Sequence, residues 1–224
     1  MFEHIKNGFF SLIFTVSVMI LVITVSIGLP IYVRPFYYVQ VDTLDLAEKS
    51  GYTREQIIEA YDEVLDFLTL EGREFGTGEL LHSEDGKRHF EDCKVLFDLN
   101  RNAMIISFCI VVLLIILNKI GKIHLYKPLG LRLSFWSSIF TLGGCLALGA
   151  VCAINFERAF QVFHHIFFPG KDNWMFDIFE DEIIMVMPEE FFLSCAVLIC
   201  LSLLTISLFL IFRAVRKKDN DVIG

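Results

Sequence analysis

Charge is missing from four long stretches of this 224-residue chain, and that absence organises everything else. No Asp, Glu, Lys or Arg falls between Asn7 and Val33, Asn102 and Asn118, Leu133 and Phe156, or Phe191 and Phe212. An apolar run of roughly 20 residues crosses a bilayer core, so three of the four stretches are comfortable spans. The second, 102–118, reaches only about 25 Å at the helical rise and is marginal. Proline is scarce, at five residues, and no segment is of low complexity or repeats internally. Five of the six cysteines (Cys109, Cys145, Cys152, Cys195 and Cys200) lie within the spans. Only Cys93 lies outside them, which excludes an outer intramolecular disulfide, and no CxxC spacing suggests a metal site. There is no phosphate loop, GxSxG elbow, HExxH helix or dinucleotide fingerprint. Without charges inside the spans, an ion or solute transport pathway is weakly supported.

What is present is a strong asymmetry in the connections. Lys6, Lys119, Lys122, Lys127, Arg132, Arg213, Arg216, Lys217 and Lys218 fall on one side, against only Glu3, Asp219 and Asp221. The other side carries the acidic excess behind the net charge of −8. Basic loops stay in the cytoplasm, so both termini and the loop 119–132 are expected inside, with 34–101 and 157–190 outside. The acidic outer balance speaks against a nucleic-acid partner. The first apolar region far exceeds the ~7–15 residues of a signal-peptide core, so it reads as a retained helix. The expected organisation is an all-α membrane protein of four transmembrane helices (7–33, 102–118, 133–156 and 191–212). A small, mainly helical extracytoplasmic domain occupies 34–101, an interfacial segment 157–190, and a cytoplasmic tail 213–224.

Within the outer domain, Thr53 and Gln56 match a capping box, followed by Ile57, Ile58, Tyr61, Val64, Leu65 and Leu68 at helical spacing. Residues 71–82 read as a glycine-rich loop, and Ser83 as the N-cap of a second helix. Whether that helix runs unbroken into the second span is left open by Asn100 and Asn102. In the interfacial segment, Phe160, Phe163, His164 and Phe167 share a helical face, the pattern of a helix lying in the membrane interface. Pro169-Gly170 ends it. Trp136 and Trp174 suit the inner and outer aromatic belts. Pro188, Glu189 and Glu190 mark the start of the last span. Small residues at Gly143, Ala147, Gly149 and Ala153 suit close helix packing.

Candidate chemistry rests on histidines, since the outer segments hold only Ser50 and Ser83 as hydroxyl nucleophiles of that type. His82 reads as a solvated polar residue. His164 has three readings: a headgroup contact, a working titratable group in apolar surroundings, or a metal ligand. Adjacent helical residues point about 100° apart, so His164 and His165 do not chelate from one face, and metal ranks below catalysis. His89, Asp92 and Cys93 share a face, where Asp92 either orients an imidazole or sits on a solvated surface. Spacing alone favours the solvated surface.

HFEDCK at 89–94 and FHHIFFPGKDNWMFDIFEDEIIMVMPEEFF at 163–192 resemble the bacterial lipoprotein intramolecular transacylases, a family of four-span membrane proteins. The resemblance runs along the whole chain, with H-x-x-D-x-K in the first outer domain and F-H-x-x-F-F, Trp174, Asp177, Asp181 and P-E-x-F-F in the second. Cys93 departs from the pattern where an aliphatic residue is expected, and Gly86-Lys87-Arg88 departs just before His89. The resemblance implies that His89 and His164 are catalytic. Asp92, Lys94, Asp172, Trp174, Asp177 and Asp181 support them or bind substrate, and no metal or cofactor is required. It also implies the reaction: one acyl chain moves from the sn-2 oxygen of a diacylglyceryl-cysteine to that cysteine's α-amino group, giving the lyso form of the lipoprotein partner. The base role is expected at His164, nearer the membrane lipid, and a nucleophilic histidine stays open. The rival reading is a non-enzymatic receptor or assembly factor that binds an envelope partner through its acidic outer domain.

Overall fold

The computed structural model describes residues 2–223, and for Phe2 and residues 217–223 it describes the backbone alone. Among these residues every regular element is helical. In chain order they are α1 (Phe2–Tyr32), α2 (Pro35–Thr43), α3 (Leu46–Ser50), α4 (Arg54–Thr69) and α5 (Glu84–Lys119). A 3₁₀ turn (Pro128–Gly130) follows, then α6 (Leu133–Ile154), α7 (Phe156–Phe167), α8 (Ile183–Val186) and α9 (Glu189–Ile223). Helices α1, α5, α6 and α9 are long and apolar enough to cross a membrane. The question left open at Asn100 is settled: α5 continues through both asparagines without a break. Met1 and Gly224 lie outside the described residues.

The chain divides into two units. The first comprises Met1–Ile27, Arg101–Ala150 and Ile199–Gly224. Its burial is inverted relative to a water-soluble core. Ser11, Ser17, Ser26, Ser137, Ser138, Thr141 and Ser207 are buried, while Phe108, Phe140, Leu146, Leu148 and Phe209 are exposed. Small hydroxyl residues let helices approach closely when lipid rather than water bathes the outer surface. Ser137 Oγ donates to the Thr15 carbonyl (3.0 Å) and Thr141 Oγ1 donates to the Ser137 carbonyl (2.9 Å), whereas the hydroxyl oxygens of Ser26 and Ser207 are buried without a partner. A small apolar core of Val18, Val22 and Leu203 completes the packing. The loop 119–132 is pinned by side chains of α1, because the amides of His124 and Tyr126 donate to Asn7 Oδ1 and Ser11 Oγ.

The second unit comprises Gly28–Asn100 and Val151–Leu198. Its centre is aromatic. Tyr37 stacks on Tyr61 with centroids 3.6 Å apart, and Phe191 meets both rings edge-on. The Tyr37 hydroxyl donates to the Val186 carbonyl at 2.6 Å, which leaves no polar atom stranded. The capping box of α4 forms as the sequence requires, with Gln56 N on Thr53 Oγ1 and Thr53 N on Gln56 Oε1. This fixes the start of a helix that buries Ile57, Tyr61, Val64, Leu65 and Leu68. The other end of α4 is held by Lys94, whose ammonium donates to the carbonyls of Phe67 and Leu70.

The start of α5 is fixed from a distance. Ser83 accepts from Gly86 N (2.9 Å), and Ser83 N and Oγ both donate to Asp181, a carboxylate only 4 % exposed. Next to it, Glu182 accepts from Leu81 N and the Tyr52 hydroxyl. Glycine is required at position 86, because a Cβ there would collide with Asp181 Oδ1 and lie 2.9 Å from its Cγ. Two acidic residues of the later segment thus hold the helix that carries His89. Asp181→Ala removes the acceptor of the half-buried Ser83 amide and hydroxyl, a class of change that costs about 2 kcal/mol. The expected outcome is a lower melting temperature in detergent than for Asp177→Ala, and equal melting temperatures would refute the anchoring role.

Candidate active site

His89 lies in the second turn of α5 and His164 in the last turn of α7. The two residues are separated in sequence by the apolar remainder of α5, the loop 119–132 and α6. Their imidazoles are brought to a centroid distance of 5.6 Å with planes 35° apart. Both histidines are buried, at 7 % and 6 % exposure. Burial overturns the solvated-face reading of His89. Aromatic side chains form the walls. Phe168 and Phe176 meet the His89 ring edge-on at 5.0 and 5.5 Å, and Trp174 stacks on His164 at 4.6 Å.

The two rings are held differently. His164 Nδ1 lies 2.7 Å from the Phe160 carbonyl oxygen. A carbonyl only accepts, so Nδ1 carries the proton and Nε2 keeps its lone pair in the neutral ring. His89 has no such anchor: Nε2 lies 3.4 Å from Cys93 Sγ, and Nδ1 is buried with no partner. Burial, with His164 beside it, pushes the His89 pKa down to about 4 against the opposing pull of Asp92. Burial also lowers that of His164, outweighing its bond to Phe160. Both rings are therefore neutral near pH 7.

The remaining residues expected from the sequence divide into two groups. Trp174 is part of the site through its stacking on His164, rather than through a place in an aromatic belt alone. Asp92 does not orient an imidazole. Its carboxylate accepts from Lys171 Nζ (2.5 Å) and Asn173 Nδ2 (3.2 Å), clamping the loop after α7 to α5. Burial would raise the Asp92 pKa, and these two donors outweigh it and hold the group low. Asp172 lines an open cleft with Asp85, Arg88 and Glu91 beside that clamp. Lys94, Asp177 and Asp181 work as scaffold. Lys94 closes α4, Asp177 Oδ1 accepts from Phe179 N, and Asp181 anchors Ser83. Sequence reasoning missed Phe176, Lys171 and Asn173, and it held Phe168 only as the last letter of the F-H-x-x-F-F motif, with no role attached. Of the three, Lys171 carried a signal, as the cation directly after the Pro169-Gly170 stop. His165 is exposed and packs edge-on against Trp174, and His82 is exposed and bonds to Thr77. Among the described residues no group of three His, Cys, Asp or Glu side chains is placed to hold a metal ion.

Fold and site together define an integral membrane protein with four long apolar helices and a histidine pair enclosed by aromatic rings. The sequence model of the family described as lipoprotein intramolecular transacylase Lit matches residues 12–192. The structure of the membrane-integral lipoprotein intramolecular transacylase Lit from Bacillus cereus is similar, with a TM-score of 0.87 at 25 % identity, covering 98 % of each chain. Two variants of the same Bacillus cereus protein, with a histidine replaced by arginine or by alanine, match at TM-scores of 0.80 and 26 % identity. They cover 98 % and 97 % of this chain, and 96 % and 97 % of theirs. No curated protein sequence matches the chain. The chain belongs to the lipoprotein intramolecular transacylase family and is an acyltransferase, which disfavours the receptor reading.

A buried neutral histidine has a pH signature with a defined sign. Between pH 6.5 and about 4 the unfolded chain binds a proton at residue 89 that the folded chain refuses. Stability is therefore expected to fall as pH drops through that window, by roughly 3 kcal/mol in total. His89→Gln should flatten this part of the pH dependence of unfolding. In the wild type, ring-nitrogen NMR should show His89 neutral at pH 5.5, and titration near 6.5 would refute the assignment.

Proposed function

We propose that His89 and His164 carry the acyl transfer on the lipoprotein substrate, moving the sn-2 chain of the diacylglyceryl-cysteine to its α-amino group. The observation that carries this reading is the pairing of two buried neutral imidazoles from segments far apart in the chain, one with its proton fixed on Nδ1. Ester and amine belong to one molecule, and well-oriented intramolecular reactions reach effective molarities of about 10⁵–10⁸ M. Little is then asked of the protein beyond orientation, proton movement and stabilisation of an oxyanion.

His164 acts as the base. As the amine nitrogen attacks the sn-2 ester carbonyl, Nε2 takes the proton that the nitrogen sheds. His89, being neutral, donates an N–H hydrogen bond to the oxyanion in surroundings where such a donor is strong. The tetrahedral intermediate collapses, the C–O bond to glycerol breaks, and the His164 imidazolium returns its proton to the departing oxygen. Ester and amine become amide and alcohol, with no net proton change. This assigns the leaving-group proton to His164 alone, because His89 does not hold a second proton near neutrality. Phe160, Phe163, Phe167 and Phe168 offer acyl chains an apolar surround.

We further propose that this chemistry takes place at the outer leaflet, with both termini cytoplasmic and membrane lipid against α7. Charge asymmetry supports the orientation. The exposed Val162, Phe163, Ile166 and Phe167 lie along one arc of α7, and Glu157, Arg158, Gln161 and His165 along the other. Only Asn155 separates this helix from α6. An impermeant thiol reagent is a poor probe of the native Cys93, whose sulfur is enclosed. In a cysteine-free background, Lys49→Cys should label in intact cells and Lys122→Cys should not. Labelling at residue 122 would reverse the orientation.

Purified protein given only a synthetic diacylglyceryl lipopeptide should give a product of unchanged mass that lacks a free amine. His89→Ala and His164→Ala should each lose about 10²–10⁴-fold in rate while accumulating normally. His82→Ala and His165→Ala should retain most activity, and the double variant His89→Ala/His164→Ala should be little worse than either single one. Full activity in both single variants would remove the pair from the mechanism.

A further inference from the structure

Cys93 lies one helical turn after His89, and its sulfur is the only group within hydrogen-bonding reach of that ring among the described residues. We infer that Cys93 is a positioning residue: its thiol donates to Nε2 of His89 and so holds the ring proton on Nδ1. This rests on the reading above, in which His89 supplies the N–H for the oxyanion.

Two arrangements satisfy a sulfur 3.4 Å from Nε2. Either the thiol donates to the Nε2 lone pair, which leaves Nδ1–H free, or Nε2–H donates to sulfur, which leaves Nδ1 a bare lone pair. The second gives the site two acceptors and no donor, since His164 already offers a lone pair at Nε2. The first makes the rings complementary, one base and one donor. The thiol has a proton to give throughout the working range, because burial, aided by Asp92, pushes its pKa up to about 12. The partnerless state of Nδ1 follows too: a buried polar atom left unpaired in a native structure calls for a reason, and a donor held for the reacting oxygen provides one. Cys93 thus does for His89 what the Phe160 carbonyl does for His164, with the proton placed on the same ring nitrogen.

The test is a comparison of wild type, Cys93→Ala and Cys93→Ser, with ¹⁵N-labelled histidine and the same diacylglyceryl lipopeptide. Wild type should show His89 protonated at Nδ1. Cys93→Ala should show a mixture of tautomers and a kcat lowered by about 3- to 10-fold, the scale of one ordinary hydrogen bond, with KM unchanged. Cys93→Ser keeps a donor of similar size without opening a gap. It should retain the wild-type tautomer and a kcat within about twofold. An Nε2-protonated His89 in wild type, or a wild-type spectrum in Cys93→Ala, would overturn the inference. So would an acyl chain found on Cys93 by mass spectrometry, which would make the thiol a nucleophile. Should His89→Ala retain full activity, the functional reading fails, while the NMR comparison still decides the tautomer by itself.

Discussion

A buried carboxylate, Asp181, is the constraint on which the geometry of the histidine-bearing unit depends. It accepts from both the amide and the hydroxyl of Ser83, and Ser83 in turn caps α5 at Gly86. A buried charge is tolerated only when its lone pairs are filled, so this arrangement has little freedom to slide. It fixes where α5 begins, and with a rise of 1.5 Å per residue it fixes the height of His89 along the helix. Glu182, one residue on, repeats the attachment through Leu81 and Tyr52. The segment that follows His164 in the chain therefore decides where His89 stands.

A second tie lies closer to the rings. Asp92, one turn after His89, holds Lys171 and Asn173 of the loop that leaves α7. Between the two ties run Trp174 and Phe176, with Phe168 just before the first, and all three contact a histidine of the pair. The site is thus a short loop of chain fastened at both ends by carboxylates and filled with aromatic rings. Such walls keep the imidazoles neutral, because burial disfavours the protonated ring and at His89 outweighs the pull of Asp92. A neutral ring can serve as a base near the pKa of an α-amine, whereas a permanently charged one cannot.

The membrane unit follows the opposite packing logic. Its hydroxyl residues turn inward and its large apolar side chains turn outward, since lipid offers no gain from burying leucine. Ser26 and Ser207 have buried hydroxyl oxygens without a partner, small irregularities in an otherwise satisfied seam.

The chain's own periodicities determined the four apolar helices, the capping box at Thr53, the N-cap at Ser83 and the stripe bearing His164. Each is a matter of residues within one or two turns of each other, where spacing alone specifies the neighbours. The resemblance of short motifs was enough to nominate both histidines. It gave Lys94, Asp177 and Asp181 no more than a supporting or substrate-binding place, and their bonds to helix ends and turns come only from the structure. Asp92 drew two readings from spacing, and what it does was decided by a partner 79 positions away at the edge of an open cleft. Only the tertiary structure decided that His89 is buried, that its ring faces His164, and that Phe168 and Phe176 enclose it. Those facts depend on contacts between segments separated by two membrane spans, and no local pattern in a sequence encodes which distant segment a side chain will meet.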